Sequence, residues 1–274
     1  MDIQKIKSLW AKDTTPQKLI TGYDLLCQRY LPIQTDDIWR LNCETSDKSP
    51  LQGWKIHIAA TIFSANTVLE KVAPFLETHK AVFKAPKSLT ELDKLNSGLF
   101  YGYGQVGKFV TVYPKNDEEF VYLAKNLHRL TNGISAPSVP FDLRYCDSSN
   151  VYYRYGAFKN FDIKNPDGTL TPAIIDPRGK LVPDKRDNEK GMPEWINNPL
   201  ETKEKKSVAK TANPLQSTYK IFKALSQRGK GGVYVAIDFS VPGARLCVIK
   251  EGRRDGEVNW LGRDGFDFVK NEAN

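Results

Sequence analysis

The sequence predicts an α/β (α+β) fold, in which helices surround a mixed, twisted sheet and a smaller unit of β-strands follows. Strand-like alternation and capped amphipathic helices intermix along residues 53–157 without strict alternation. Residues 162–218 are rich in Pro, Gly, Asn and charge and have little periodicity, which is typical of a long surface excursion or linker. Strand-like patterns resume after residue 230, so we expect a second structural unit there.

The elements follow in order from the N-terminus. "PQKLITGYDLLCQRYL" predicts a helix, and "WKIHIAATIF" predicts a strand. Ser64 is then expected to cap a helix running to about His79, and the short strand "AVFKA" follows it. Ser88 and Glu91 have capping-box spacing at the start of the next helix, which Gly98 is expected to end.

The later elements have equally clear boundaries. "KFVTVY" predicts a strand closed by Pro114, and Asn116 is expected to cap a helix that ends at Gly133. "VYYRYGAF" predicts a third clear strand. After the irregular stretch, "RGKGGVYVAIDF" and "ARLCVIKEG" predict two further strands.

Composition excludes several classes of protein. The 274 residues are 40% hydrophobic, with no apolar run of membrane-spanning length and no apolar signal segment at the N-terminus. The three histidines form no H-x-x-x-H pair, so we predict no metal site. We expect a cytoplasmic protein, because the four cysteines are widely spaced and taken as reduced thiols: Cys27, Cys43, Cys146 and Cys247. The net charge of +8 favours an anionic partner, although a merely soluble basic surface is the simpler explanation.

The stretch "GYGQVGKFVTVYP" contains a G-x-G-x-x-G pattern at Gly102, Gly104 and Gly107. A dinucleotide site needs a strand before the glycines and a helix after them, and here that order is inverted. A kinase loop would need a V-A-I-K lysine downstream, which is missing. Two explanations remain: a loop that lets its backbone and Lys108 approach a ligand closely, or a Gly-rich hairpin entry without a ligand.

Basic side chains occupy several predicted strands. Lys55 and His57 share one face of their strand about 6.5 Å apart, within reach of one small anion. Lys84 is flanked by apolar residues in "VFKA", and burial near other cations lowers the pKa of a lysine, which makes it a usable general base. Lys108 begins the next strand, and Arg154 lies among the aromatic residues of "YYRYG".

We expect these cations to share one site without a carboxylate, with Arg144 as a further member. Such a site suits a phosphorylated substrate. With a lysine base, a histidine acid and no activated Ser or Cys, the chemistry that fits is β-elimination of phosphate. Lys84 would remove the Cα proton, and His57 would protonate the bridging oxygen of the leaving group.

In this order and spacing, "QGWKIHIAAT", "FKAPKSLTELDKLNSG", "GYGQVGKFVTVYP" and "VYYRYGAF" resemble the N-terminal region of class III lanthionine synthetases. That region is a phosphoserine/phosphothreonine lyase domain, similar to the phosphothreonine lyases that bacterial pathogens inject into host cells. The resemblance implies that Lys84 is the base, that His57 is the acid, and that the phosphate is bound by Lys55, Lys108, Arg154 and, less firmly, Arg144. It also implies substrate contacts from Gly102, Tyr103, Gly104, Gly107 and Tyr155.

The resemblance further implies the product and the partners. The product would be dehydroalanine or dehydrobutyrine in a ribosomal leader–core precursor peptide of bacterial lanthipeptide biosynthesis. Elimination would need no cofactor, and the other kinase and cyclase domains of the synthetase would be partners. Neither nucleic acid nor a membrane is expected to bind.

The C-terminal sequence resembles the start of a protein-kinase N-lobe. Lys250 takes the place of the strand lysine that contacts ATP phosphates, with Glu272 as its helix partner. Gly229, Gly231 and Gly232 depart from the usual glycine pattern, and no H-R-D or D-F-G motif is present. We therefore expect a lyase domain at 1–200, a linker at 201–226 and a truncated kinase N-lobe at 227–274. ATP or GTP with Mg would serve only the complete kinase domain.

Two rival functions remain at this level. The basic charge and the aromatic residues Tyr152, Tyr153 and Tyr155 are compatible with a non-catalytic phosphate- or nucleic-acid-binding module. Lys250 is compatible with a kinase fragment that only binds ATP.

Overall fold

The computed structural model describes residues 15–44, 49–159, 161–184, 192–201 and 218–272. The helices are α1 (Pro16–Tyr30), α2 (Ala65–Thr78), α3 (Leu89–Ser97), α4 (Asp117–Thr131) and α5 (Gly265–Glu272), with a 3-10 turn at Tyr103–Gln105. The large sheet contains β1 (Ile33–Gln34), β2 (Trp39–Leu41), β3 (Gln52–Ile58), β4 (Val82–Pro86), β5 (Val110–Tyr113), β6 (Leu143–Arg144) and β7 (Val151–Ala157). Two three-stranded sheets contain β8 (Asp162–Lys164), β9 (Leu170–Ile175), β10 (Leu181–Pro183), β11 (Tyr219–Arg228), β12 (Gly231–Asp238) and β13 (Arg245–Gly252).

The seven strands of the large sheet lie in the order β1-β2-β4-β5-β3-β7-β6. The predicted α+β class is confirmed, but every described pair in this sheet is antiparallel, so the predicted mixed sheet is wrong. The sheet is antiparallel because of the position of β5. Strands β3 and β4, joined through α2, run parallel to each other, but β5 lies between them and pairs antiparallel with both.

One face of the large sheet is apolar and the other is cationic. On β3, Trp54, Ile56 and Ile58 are buried towards the helices, and Trp54 stacks on Phe120 of α4 at 4.9 Å. Burying an isoleucine side chain contributes about 1.5–3 kcal/mol, so this alternation strongly selects which face meets the helices. Helix α2 packs against both α1 and α4, and α4 packs against β3 and β7. The opposite face of β3 is thereby available for a polar site.

The predicted helix caps are confirmed at α3 and α4 but not at α2. The hydroxyl of Ser88 and the side-chain oxygen of Asn116 accept bonds from backbone N–H groups of the first turns of α3 and α4. Gly98 ends α3 with φ +68°. Ser64 has helical backbone angles and makes no capping bond; its hydroxyl oxygen instead accepts from Thr61 N–H at 2.9 Å, and the hydroxyl donates to the carbonyl of Ser135 at 2.8 Å.

The stretch that the sequence predicts to be a surface excursion contains ordered structure. Strands β8, β9 and β10 form an antiparallel sheet over residues 162–183. Its turns hold Gly168 and Gly179 at φ +82° and +79°. The turn residues of two tight hairpins thus account for the Pro-, Gly- and Asn-rich composition, and strands this short carry too few residues to produce visible alternation.

The C-terminal unit is an antiparallel sheet of β11, β12 and β13 with α5 packed against β13. The predicted strands β12 and β13 are confirmed. Strand β11 begins at Tyr219, within the predicted linker, and residues 202–217 of that linker lie outside the described residues. The division at 200 and 227 stays a prediction. The unit contacts the rest of the chain where Gly229 N–H donates to the Ser97 carbonyl at 3.0 Å.

Two features bear on the sequence-based exclusions. None of the helices in the described ranges is long and apolar enough to cross a bilayer. All four cysteines are described, and none forms a disulfide. The free thiols agree with the prediction of reduced cysteines.

Candidate active site

The cationic face of the large sheet contains a cavity of about 360 Å³. Five of the six predicted catalytic or phosphate-binding side chains line it together. The lining consists of Lys55, His57, Lys84, Lys108, Arg154, Ile38, Trp39, Leu95, Tyr101, Gln105, Thr111 and Tyr113. Lysine and arginine side chains gathered in this way have the donors and charge that a small anion requires.

Strand register explains why side chains distant in sequence meet here. His57 of β3 lies opposite Thr111 of β5, and Thr111 also lies opposite Lys84 of β4. Lys55 of β3 lies opposite Arg154 of β7. Directly opposed residues of antiparallel strands project from the same face with Cβ atoms about 5 Å apart. The register therefore converts four separate sequence motifs into one cluster.

His57 is a neutral imidazole with a defined tautomer. Its side chain is buried, and Nδ1 lies 2.5 Å from Oδ2 of Asp142. Burial lowers the pKa of His57 to about 4; Lys108 acts in the same direction, and Asp142 opposes the shift. The neutral ring must donate its Nδ1 proton, because the pKa of Asp142 is far below neutrality and its carboxylate is an acceptor. Nε2 of His57 then carries the lone pair.

Asp142 is a site residue that the sequence did not reveal. Its side chain is fully buried and also lies 3.3 Å from Nζ of Lys108. Burial alone raises the pKa of a carboxyl group, but Lys108, His57 and Arg154 outweigh that effect and hold the pKa of Asp142 well below its usual range. Asp142 precedes β6 in a segment without periodicity, so no pattern in the sequence placed it beside His57.

A second carboxylate holds Arg154. Nη2 of Arg154 lies 2.5 Å from Oδ1 of Asp184, and Nη1 lies 3.3 Å from Oδ2. Asp184 directly follows β10, in the stretch that was expected to be an excursion or linker. The prediction of a carboxylate-free site is therefore wrong. The physical reason is that nearly buried cations require compensating charge and hydrogen bonds.

Lys84 has the environment of a general base. Burial lowers the pKa of Lys84 to about 8; Lys108 contributes in the same direction, and Asp36 opposes the shift. The Lys84 ammonium lies 4.2 Å from the centroid of the Trp39 ring. This agrees with the expectation, drawn from the apolar neighbours in "VFKA", that the pKa of this lysine is depressed.

The remaining cations give the cavity a positive excess. Lys108 is 5% exposed, and the amine of Lys55 lies 5.9 Å from the centroid of the Tyr113 ring. Four cationic side chains line the cavity, whereas Asp142 and Asp184, which pair with Lys108 and Arg154, are not among its lining residues. Positive charge with so little solvent access attracts an anion more strongly than an exposed patch does.

Arg144 and Tyr155 are not brought to the cavity lining. Arg144 lies on the cavity face but at the outer strand β6, where it is exposed and lies over the ring of Tyr152 at 5.3 Å. Its Nε donates to the carbonyl of Ser149 at 2.7 Å. Tyr155 lies opposite Trp54 on the apolar face and makes an edge contact with that ring at 5.6 Å.

The Gly-rich loop forms one side of the cavity. Tyr101 and Gln105 line the cavity, whereas the predicted Gly102, Tyr103, Gly104 and Gly107 are not among its lining residues. The ring of Tyr103 makes an edge contact with Phe141 at 5.7 Å. A Cβ on Gly104 would lie in ordinary contact with that phenyl ring, at 3.6 Å. Gly107 has φ +75°, and a Cβ there would lie 3.1 Å from the Ser138 carbonyl.

The predicted kinase-like residues lie in the C-terminal unit. Lys250 and Glu272 form an ion pair beside a second cavity, of about 190 Å³, which Gly231 and Gly232 also line. Gly229 lies instead against α3 of the first unit. The structure thus brings four of the five predicted C-terminal residues together.

Comparison with known proteins agrees with the outline of the resemblance. The family described as "RamC, N-terminal domain" matches residues 27–212. A relative from Streptomyces coelicolor, described as "Probable SapB synthase", is 36% identical over 220 residues, which cover 80% of this chain and 23% of that protein. Both matches fit a lanthipeptide synthetase-like protein, while the class III assignment stays a prediction.

Proposed function

We propose that the chain is a phosphoserine/phosphothreonine lyase, which eliminates phosphate from a peptide and leaves dehydroalanine or dehydrobutyrine. The chain belongs to the RamC N-terminal domain family, and its cation-lined cavity contains a histidine and a lysine whose pKa is lowered. The observation that carries this proposal is Lys84, whose pKa of about 8 makes a neutral amine accessible beside an anion site.

The phosphate is held by Lys55, Lys108 and Arg154. A phosphorylated serine carries about −1.5 to −2 charges at neutral pH and presents three acceptor oxygens. Arg154 is already oriented by Asp184, and Lys108 by Asp142, so neither side chain needs to reorganise when the anion arrives. Fixed cations also stabilise the negative charge that grows on the leaving oxygen.

Lys84 removes the proton from Cα of the phosphorylated residue. With a pKa of about 8, roughly a tenth of the amine is neutral at pH 7, compared with well under a thousandth for an ordinary lysine. The electron pair of the Cα–H bond forms the Cα=Cβ double bond. The Cβ–O bond breaks, and inorganic phosphate leaves with the electron pair of the Cβ–O bond.

His57 donates a proton to the bridging oxygen. Burial lowers the pKa of His57 to about 4, so the ring must gain its acidic proton with the substrate. A phosphate dianion close to Nε2 favours the charged imidazolium and raises the pKa of His57. Asp142 at Nδ1 orients the ring and stabilises the imidazolium, much as the aspartate of a hydrolytic triad does.

The family and the similarity to a probable SapB synthase support a role in lanthipeptide-type biosynthesis. The substrate we propose is the phosphorylated leader–core precursor peptide of a class III lanthipeptide pathway in the bacterial cytoplasm. A kinase activity using ATP or GTP with Mg supplies the phosphate, and a cyclase adds cysteine thiols to the dehydrated residues. The elimination itself needs neither a metal nor an organic cofactor.

A second candidate activity, nucleotide binding by the C-terminal unit, is favoured by the Lys250–Glu272 pair and its cavity. Its test is thermal unfolding with ATP or GTP and Mg²⁺. A rise in melting temperature that Lys250→Met abolishes supports nucleotide binding, and no rise in the wild-type chain counts against it.

The decisive test of the lyase proposal uses a synthetic phosphoserine peptide without nucleotide and with EDTA. We expect the peptide mass to fall by one phosphoric acid, and Lys84→Ala to abolish the change. If water replaces the lost phosphate, the product is serine and the enzyme is a phosphatase. A leader-fused phosphopeptide that also stays intact contradicts the proposal, because missing leader recognition no longer explains the result.

A further inference from the structure

The C-terminal unit touches the Gly-rich loop of the proposed lyase site through one arginine. The guanidinium carbon of Arg253 lies 5.1 Å from the centroid of the Tyr103 ring. Arg253 itself is fixed within its own unit. Its Nε and Nη2 donate to the two carboxylate oxygens of Glu251 at 2.9 and 2.8 Å, and its Nη1 donates to the carbonyl of Arg228 at 2.9 Å.

The contact continues from Tyr103 to the catalytic histidine in two steps. Tyr103 makes its edge contact with Phe141, which has φ +64°, a left-handed conformation that is unfavourable for a bulky side chain. The next residue is Asp142, whose carboxylate binds both His57 and Lys108. Asp142 thus directly follows a residue with a strained backbone, whose partly exposed ring contacts Tyr103 of the Gly-rich loop.

A backbone contact holds the two units at this point. Gly229 N–H donates to the Ser97 carbonyl at 3.0 Å, and a Cβ on Gly229 would lie only 1.7 Å from the carbonyl oxygen of Asn96. The side chain of Asn96 accepts a bond from Gly107 N–H and donates to the carbonyl of Ala60. The same residue of α3 therefore meets both the C-terminal unit and the end of the Gly-rich loop.

We propose that Arg253 is a positioning residue for the cavity, acting through Tyr103 and Phe141 on the Asp142–His57 pair. The inference rests on the proposed lyase function, which it deepens: the lyase site includes a side chain from the C-terminal unit. Elimination then depends on contact between the two units, although Arg253 does not touch the substrate.

The test compares Arg253→Ala with Arg254→Ala in the full chain. Arg254 is the matched control, because its guanidinium lies over Phe266 within the C-terminal unit, 4.0 Å from that ring centroid. We expect Arg253→Ala to lower kcat about tenfold, within the range seen for residues that couple sites indirectly, and Arg254→Ala to leave kcat unchanged. Tyr103→Leu, which removes the ring that Arg253 contacts, should reproduce the loss.

A second measurement reports the His57–Asp142 bond without any turnover. The Nδ1 proton that His57 donates to Asp142 should give a low-field proton resonance, which Arg253→Ala and Tyr103→Leu should shift or broaden and Arg254→Ala should not. Melting temperatures identify variants that merely unfold, and Gly229→Ala, which forces the units apart, should give the same spectral change. An unchanged resonance and kcat in folded Arg253→Ala overturn the inference. A shifted resonance in a chain without lyase turnover supports it while counting against the proposed function.

Discussion

At the scale of single residues, substitution of Lys84 is the most direct test of the proposed general base. Lys84→Arg preserves the positive charge but removes the base, since a guanidinium cannot lose its proton in a protein. We expect kcat to fall about 10²- to 10⁴-fold while phosphopeptide binding persists. In the wild-type chain the rate should rise with pH towards about 8, because only the neutral amine accepts a proton. Elimination is followed by mass spectrometry and binding by calorimetry.

The control for Lys84 is Lys125→Ala, which removes an exposed lysine of α4 on the other side of the sheet. This variant should keep wild-type turnover. Wild-type turnover by Lys84→Arg would rule out the lysine as the base.

His57 should make folding sensitive to acid. Its pKa of about 4 lies below the ordinary value of about 6.5. Between pH 6.5 and 4, His57 is therefore protonated in the unfolded chain but not in the folded chain. The stability contributed by neutral His57 is complete above pH 6.5 and is lost as the pH falls to about 4. The loss amounts to about 3 kcal/mol, at 1.4 kcal/mol per pKa unit.

Urea unfolding at several pH values measures this dependence. His57→Gln should flatten the decline of the unfolding free energy between pH 6.5 and 4. His79→Gln, which removes a histidine at the end of α2 outside the cavity, should keep the wild-type decline. An equally steep decline in His57→Gln would show that another group causes it.

At the scale of elements, a comparison of Gly107 in the Gly-rich loop with Gly133 after α4 distinguishes the cost of backbone strain from the cost of steric crowding. Gly107 and Gly133 have φ of +75° and +79°, but a Cβ on Gly133 meets no atom within 4 Å, while on Gly107 it crowds the Ser138 carbonyl and Val139. Gly133→Ala should cost about 1 kcal/mol from the backbone alone. Gly107→Ala should cost more and should also reduce kcat/KM, because the adjacent Lys108 moves with the loop.

Denaturant unfolding and steady-state kinetics of the two variants make this comparison. The expected order is wild type, Gly133→Ala and then Gly107→Ala in stability, with a kinetic defect in the last alone. A stability loss in Gly107→Ala no larger than that in Gly133→Ala, with wild-type kinetics in both, would mean that the loop tolerates displacement.

Elements also determine which parts of the site a sequence can reveal. The sequence predicts that Lys55 and His57 share a face, because strand alternation is local, and it predicts a buried Lys84, because the apolar neighbours of Lys84 are adjacent in sequence. Asp142 and Asp184 were missed because each reaches its partner from a connection outside a strand, where position depends on the tertiary fold. The same limit applies to sheet order, since nothing local shows that β5 lies between β3 and β4.

At the scale of the whole molecule, the arrangement of charge separates a lyase from a nucleic-acid-binding module. The net charge is +8, but the lining cations Lys108 and Arg154 are each 5% exposed and lie in a cavity rather than in a stripe. Salt screens buried charges much less than exposed ones, whereas binding along a nucleic-acid backbone weakens steeply as salt rises. We therefore expect phosphopeptide binding to persist from about 50 to 200 mM salt, while any duplex DNA binding falls by orders of magnitude.

Fluorescence anisotropy with labelled phosphopeptide and labelled duplex DNA measures both dependences, and Arg154→Met serves as the matched variant. That substitution removes one nearly buried cation, so it should abolish phosphopeptide binding and leave weak DNA binding almost unchanged. The reverse pattern, with DNA binding lost and phosphopeptide binding kept, would place the functional charge on the exposed surface. The cavity on the sheet would then be a structural cluster of compensated ion pairs, with no part in anion recognition.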